Sequence, residues 1–109
     1  MSLNSDRLQQ LLAFLAEEPN DPFTLYALAT EYAATQPQEA RFYYEKLLTE
    51  HPDYVGTYYH AAALYAALGE KERAVATYQK GLEATRRLGQ TKHYQELQRA
   101  FRAFEDEED

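Results

Sequence analysis

Residues 53–85 constrain the possible folds of this chain more than any other part of it. Apolar residues recur there at steps of three and four in two runs, which is the spacing of one face of an α-helix. The runs comprise Tyr58, Ala61, Ala62, Tyr65 and Leu68, then Ala74, Val75, Tyr78, Leu82 and Thr85, on either side of a turn at Gly69. Small residues on these faces, including Gly81, would let two helices approach closely. The stretch predicts a tight antiparallel helix pair, which needs further helices to cover its outer faces.

An upstream segment repeats this pattern. Leu25-x2-Leu28-Ala29-x2-Tyr32 matches Tyr58-x2-Ala61-Ala62-x2-Tyr65 at an offset of 33, and Ala40-x3-Tyr44 matches Ala74-x3-Tyr78 at an offset of 34. A 34-residue helix-turn-helix period with this spacing resembles the tetratricopeptide repeat. Pro52 closes the first copy as in that family's pattern, whereas the second copy has Arg86 in that place. The resemblance implies an all-α solenoid of antiparallel helix pairs, with about six helices in a right-handed superhelix.

The flanking segments are predicted to be half-repeats that cap the array. Leu11 lies eight residues before Pro19, just as Tyr44 lies eight residues before Pro52. The first helix therefore corresponds to the second half of a repeat. The sequence predicts a single domain over residues 1–104, with repeats at about 20–52 and 53–86, capping helices at 4–18 and 91–104, and an acidic tail at 105–109.

Several residues are predicted to start or stop these helices. Asp21 is expected to cap the second helix, with Pro22 at its first position, and Asp53 to cap the fourth. Gly69 and Gly89 are expected to end the fourth and fifth helices. At the N-terminus, Leu3 and Leu8 are placed to form a hydrophobic staple around Asn4 as N-cap.

Composition and charge exclude several classes of function. The chain has no Cys, which excludes disulfides and thiolate chemistry. It shows neither a secretory signal nor a stretch long enough to span a bilayer, so a cytoplasmic protein without membrane contact is predicted. The net charge of −7 is uneven: residues 1–69 carry nine acids and three bases, residues 70–104 eight bases and four acids, and the last five residues are all acidic.

Neither catalysis nor cofactor binding is predicted. The three histidines are scattered, and no metal-ligand spacing, nucleophile-base pattern or glycine-rich phosphate loop is present. Basic residues cluster in the C-terminal third, yet the acidic isoelectric point of about 4.9 argues against binding to nucleic acid. The predictions are therefore no enzyme, no cofactor, no metal and no nucleic-acid partner.

The resemblance implies a ligand-binding groove lined by the first helix of each repeat. The corresponding positions are Phe23, Tyr26, Thr30 and Ala33, then Gly56, Tyr59, Ala63 and Ala66, then Lys92, Gln95, Arg99 and Arg102. This groove would start aromatic and end basic, which suits an acidic protein or peptide partner. The alternative for Tyr26 and Tyr59 is that they pack on each other without a ligand. The residues of the carboxylate-clamp subfamily, which holds chaperone C-termini, are absent apart from Lys92.

Two functions remain open at the level of sequence. The first is a scaffold or adaptor module that binds a peptide segment or helix in the groove. The second is weak self-association into a homo-oligomer with no peptide ligand. Two further expectations concern particular residues: Gly81→Ala should stabilise the fifth helix, and the tail after Phe104 should leave the helix axis and sample the basic end of the groove.

Overall fold

The computed structural model describes the backbone of residues 3–108 and the side chains of residues 6–108. This part of the chain forms six α-helices and no strands: α1 (Leu3–Glu17), α2 (Pro22–Ala33), α3 (Pro37–Glu50), α4 (Gly56–Ala67), α5 (Lys71–Arg87) and α6 (Thr91–Glu108). They group into two compact units, Met1–His51 and Pro52–Asp109. The predicted all-α fold with six helices is confirmed. The expected staple involves the side chains of Leu3 and Asn4, which lie outside the described residues.

In the first unit, α1 and α3 pack against α2. Leu11 of α1 is buried with Ala27 and Leu28 of α2, and Leu8, Leu15, Tyr32 and Tyr43 pack around them. Asp21 caps α2 as predicted, because its carboxylate accepts hydrogen bonds from the Thr24 backbone N–H at 2.9 Å and from the Thr24 hydroxyl at 2.7 Å. This cap satisfies donors that the first turn of a helix leaves without partners.

In the second unit, glycines end α4 and α5. Gly69 has a φ of 78° and Gly89 a φ of 69°, in the left-handed region that favours glycine. Beyond them, the N–H of Glu70 donates to the Tyr65 carbonyl at 2.9 Å, and the N–H of Gln90 to the Thr85 carbonyl at 2.8 Å. Both helix ends were predicted correctly, because a chain reversal of this kind needs a residue without a Cβ.

Helix α6 covers α5 with aromatic side chains. The rings of Phe101 and Phe104 lie 5.1 Å and 5.9 Å from the ring of Tyr78, centroid to centroid. Tyr78, Leu97 and Phe104 are buried. Since aromatic side chains bury large apolar areas, these contacts hold the last helix on the second repeat.

Gly81 lies where α4, α5 and α6 meet, and the expectation that Gly81→Ala stabilises the protein is wrong. A Cβ atom at Gly81 would lie 2.6 Å from the Tyr58 Cβ and 3.0 Å from the Leu97 Cδ1. The Tyr58 Cβ is fixed to the backbone of α4, so an added methyl group would push the helices apart. The close approach of the helices outweighs the helix propensity of alanine at this position.

The acidic C-terminal segment also differs from the expectation. Helix α6 continues to Glu108 instead of ending near Phe104, and Glu108 forms an ion pair with Lys71 at 2.5 Å. Lys71 is the first residue of α5, whose N-terminal dipole attracts negative charge. Lys92 lies 16 residues before Glu108 on the same helix, about 24 Å away at the rise of an α-helix. Glu108 therefore lies far from Lys92, and the acidic segment continues the helix instead of folding back along it.

Asp53 does not cap α4. The N-cap is Val55, which makes no side-chain hydrogen bond, while the Asp53 carboxylate accepts a hydrogen bond from the Arg87 guanidinium at 2.8 Å. None of the described helices combines the length and the apolar character that crossing a membrane requires.

Candidate binding surfaces

A cleft between α4 and α6 brings together two of the predicted groove residues. It has a volume of about 330 Å³ and is lined by Tyr59, Glu96, Arg99 and Ala100. Tyr59 is 43% exposed although its side chain is large and aromatic. The cleft therefore combines an accessible aromatic ring with one group of each charge.

The ring of Tyr59 packs against the half-buried ring of His60. It meets the edge of the His60 ring at a centroid distance of 5.3 Å. Burial raises the pKa of the Tyr78 phenol, and the neighbouring Tyr59 adds to this rise. Burial likewise lowers the pKa of His60, so its imidazole is held towards the neutral form. Tyr59 thus has an aromatic neighbour, His60, that is held towards its neutral form.

The other predicted residues of the second unit are not among those that line this cleft. Gly56 is half-buried, whereas Ala63, Lys92, Gln95 and Arg102 are exposed. On a helix with 3.6 residues per turn, Gln95, Arg99 and Arg102 project within about 60° of one another on the exposed face, and of these three only Arg99 lines the cleft. Sequence reasoning missed Glu96 and Ala100 because the repeat frame of α6 rests on weak motif matches. The buried Leu97 and Phe104 mark its inner face.

In the first unit, Tyr26 and Thr30 lie near the buried Tyr44. The Thr30 hydroxyl donates to the Tyr26 carbonyl at 2.9 Å. Burial raises the pKa of Tyr44, a hydrogen bond with Thr30 lowers it in part, and the nearby Tyr26 adds to the rise. Tyr26 thus lies near Tyr44 as Tyr59 lies near Tyr78. Tyr26 is half-buried, however, whereas Tyr59 is exposed.

Phe23 belongs to a different surface from Tyr26. It lines an apolar cleft of about 410 Å³ between α1 and α2, together with Arg7, Gln10, Leu11, Phe14 and Thr24. Phe14 is 59% exposed and Phe23 is 65% exposed. The cleft was not predicted, although the alignment of Leu11 with Tyr44 indicates the positions on α1 that form it.

No group of three or more potential metal ligands occurs among the described His, Asp and Glu residues. His51 instead lies 3.1 Å from the Asn20 amide oxygen and joins the α1–α2 loop to the end of α3. The lowered pKa of His60 has its cause in the burial of the imidazole.

These features define an all-α helical repeat protein, and the comparisons identify its family. The family model described as "Tetratricopeptide repeat" matches residues 31–101. The crystal structure of a tetratricopeptide repeat domain protein from Salinibacter ruber is 42% identical, covers 79% of this chain and 97% of its own, and superposes with a TM-score of 0.74. A solution NMR structure of a tetratricopeptide repeat domain protein from the same organism is 43% identical, with coverages of 81% and 90% and a TM-score of 0.76. No curated protein matches the chain. The chain belongs to the tetratricopeptide repeat family, whose domains are generally protein-interaction modules and typically non-catalytic scaffolds.

Proposed function

We propose that this protein is a cytoplasmic, non-catalytic interaction module that binds a peptide segment or helix of a partner protein. The observation that carries the proposal is the α4–α6 cleft, where the exposed Tyr59 lies beside Arg99 and Glu96. In the first unit, Tyr26 holds the repeat position that Tyr59 holds in the second, at the offset of 33.

The side chains of the cleft indicate what such a ligand carries. Tyr59 offers a broad apolar ring with a polar hydroxyl, which suits an aliphatic or aromatic ligand side chain. The Arg99 guanidinium suits a carboxylate, with which arginine forms bidentate hydrogen bonds. Tyrosine and arginine are also the residue types that contribute most to many protein interfaces. The preferred ligand therefore has an apolar residue close to an acidic one.

Helix α6 provides a matched pair of arginines for a test, Arg99 in the lining of the cleft and Arg102 outside it. Immobilised protein would be used to capture partners from lysate of the native host, followed by affinity measurement with each captured partner. Tyr59→Ala and Arg99→Glu should weaken binding about tenfold or more, whereas Arg102→Glu, one turn further along α6 and outside the lining of the cleft, should have less effect. The assignment would be refuted if Arg102→Glu abolished binding of the same partner. It would also be refuted if Tyr59→Ala did not weaken that binding.

Self-association is the second candidate, favoured by the uneven charge of the chain. Residues 1–69 are acidic and residues 70–104 basic, so contacts between copies would be electrostatic and would weaken as salt screens them. Sedimentation velocity at 20 mM and 500 mM NaCl distinguishes the candidates. A module for a foreign partner stays monomeric at both concentrations, whereas the electrostatic oligomer dissociates at the higher one.

A further inference from the structure

A cleft between the N-terminal part of α5 and the last turn of α6 has an apolar floor and an acidic rim. Its volume is about 560 Å³. Val75 and Phe104 supply the apolar surface, and the charged residues of the lining are Lys71, Glu72, Glu105 and Glu108. Three carboxylates and one ammonium group give this lining a net charge of −2. This acidic cleft shares no lining residue with the α4–α6 cleft.

Most of the negative charge around the acidic cleft is not paired within the described part of the chain. Glu108 forms an ion pair with Lys71. Among the described residues, no cationic side chain forms an ion pair with the other acids of this region, which are Glu72, Glu105, Asp106 and Glu107. The acidic cleft can therefore accept cationic groups from outside the protein.

The acids at the end of α6 are also in an unfavourable position for the helix itself. The C-terminal end of a helix carries partial negative charge, which basic side chains in the last turn offset. The last turn of α6 has no basic residue, and residues 105–108 are four acids in succession. A local charge pattern that opposes the stability of its own helix is typical of a functional site. Here the chemistry of the pattern favours attraction of a cation.

The dimensions of the acidic cleft indicate the size of the segment that fits it. Its lining extends over residues 71–75 of α5 and 104–108 of α6, which is little more than one turn of each helix. Val75 is partly exposed, whereas Phe104 packs near Tyr78 and is 8% exposed. A floor of this length has room for one large apolar side chain, with the carboxylates of both helices on either side of it.

We propose that the acidic cleft binds a basic segment of a partner protein, in which one large apolar residue is flanked on both sides by lysine or arginine. The apolar residue packs on Val75 and Phe104. The flanking cations pair with Glu72, Glu105 and Glu108. Charge complementarity steers the segment to the cleft, and the apolar contact distinguishes it from an arbitrary polycation. The proposal is independent of the α4–α6 cleft, whose proposed ligand is acidic.

Three peptides test the proposal by NMR titration of the full chain, which also detects weak binding. The first has a single leucine between two pairs of lysines, the second has serine in place of the leucine, and the third has glutamates in place of the lysines. At low salt the first peptide should bind about fivefold or more tightly than the second, and the third should not bind. Binding of the first should weaken as salt rises, and its amide shifts should centre on residues 71–75 and 104–108.

Two pairs of protein variants with matched charge changes localise the binding, and all four positions are exposed. Glu105→Lys should weaken binding of the leucine peptide about tenfold. Asp106→Lys changes the net charge equally but lies outside the lining, so it should have much less effect. Lys71→Gln removes the cation that competes for Glu108 and should strengthen binding about threefold, whereas Lys80→Gln, also on α5 but outside the lining, should not.

Four results would overturn the proposal. Absence of binding by the leucine peptide is the first. Equal binding of the leucine and serine peptides, or equal losses with Glu105→Lys and Asp106→Lys, would mean that the peptide is merely attracted to an acidic protein. Amide shifts centred on Tyr59 and Arg99 would refute the acidic cleft without affecting the proposed function at the α4–α6 cleft.

Sedimentation velocity of the same variants identifies the occupant. The chain itself has an exposed basic and apolar segment, Arg86-Arg87-Leu88, in which Leu88 is 37% exposed. If the protein forms an oligomer that both Glu105→Lys and Leu88→Ser abolish, the occupant is a second copy and the assignment to a partner protein is wrong. A protein that stays monomeric while it binds the leucine peptide supports the assignment.

Discussion

The two complete repeats, α2–α3 and α4–α5, have the same helical arrangement but fill their interiors differently. The first repeat has Leu25 and Leu47 where the second has Tyr58 and Gly81. Tyr58 reaches further than a leucine, and its hydroxyl donates to the Pro52 carbonyl at 2.6 Å. The comparison shows that the larger Tyr58 is accommodated by a residue without a side chain on the facing helix. The size of either residue alone varies between copies.

The loops before α2 and α4 also differ, and this explains the failed prediction for Asp53. Asp53 aligns with Asn20 at the offset of 33, not with Asp21. Both aligned residues contact the end of the second helix in their own repeat, Asn20 through His51 and Asp53 through Arg87. The hydroxyl of Thr24 donates to Asp21, whereas that of the aligned Thr57 is buried with no hydrogen-bond partner among the described residues. Only the first repeat therefore has a side-chain cap.

The largest expected effect concerns the aligned tyrosines Tyr65 and Tyr32. Tyr65 is 6% exposed, so Tyr65→Ala should lower the free energy of unfolding by about 3–5 kcal/mol, the usual cost of losing a buried large side chain. Tyr32 is half-buried and stacks on Tyr43 at 6.0 Å, and Tyr32→Ala should cost less. Urea denaturation measures both, with Tyr59→Ala as the exposed control. Equal losses for all three would contradict the burial difference.

The next prediction concerns Gly81 and its pairing with Tyr58. Gly81→Ala should destabilise the protein by about 1–3 kcal/mol, as overpacking of a core usually does. Ala76 is exposed on the same helix, and Ala76→Gly should also destabilise, by about 1 kcal/mol, through helix propensity alone. Tyr58→Leu should recover part of the loss in the Gly81→Ala background. A Gly81→Ala protein with a raised melting temperature would rule out the close approach at this position.

A smaller effect is expected at the cap of α2. Hydrogen bonds from the Thr24 side chain and backbone lower the pKa of Asp21 below its ordinary value of 3.8. The stabilisation is therefore fully present above pH 3.8 and is lost as the pH falls through the lowered pKa of the folded state. Asp21→Ala should reduce the melting temperature at pH 7 more than Asp53→Ala, and the deficit should shrink in stronger acid. A deficit that persists unchanged at pH 2 would exclude the ionised cap as its cause.

The smallest effect is expected from deleting residues 105–109. The Lys71–Glu108 ion pair is exposed to solvent, and exposed pairs typically contribute ~0.2–1 kcal/mol that salt screens. The shortened protein should show amide shifts near Lys71, and Lys71→Gln should have no further effect on its stability. Shifts at Lys92 and Arg99 instead would restore the original expectation that the acidic segment contacts the basic residues.

Much of the candidate site could be predicted from the repeat pattern of the sequence alone. The offset of 33 places Tyr26 and Tyr59 at the same position, and both lie near the inner tyrosine of their own repeat, Tyr44 and Tyr78. The α1–α2 cleft was missed because a cleft depends on which face no other helix covers. A motif written for complete repeats does not contain that information.

The sequence by itself determined the helix pairs, their family, the cap at Asp21 and the glycine ends at Gly69 and Gly89, because these depend on local spacing and backbone conformation. Only the tertiary structure decided the role of Gly81 and the path of Glu105–Glu108. The reason is that both depend on contacts between helices. A glycine within a helix lowers stability unless a neighbouring side chain needs the space. Acidic residues at the C-terminal end of a helix are unfavourable unless the N-terminus of a second helix lies beside them. In this protein, Tyr58 occupies the space beside Gly81, and the N-terminus of α5 lies beside the acidic end of α6.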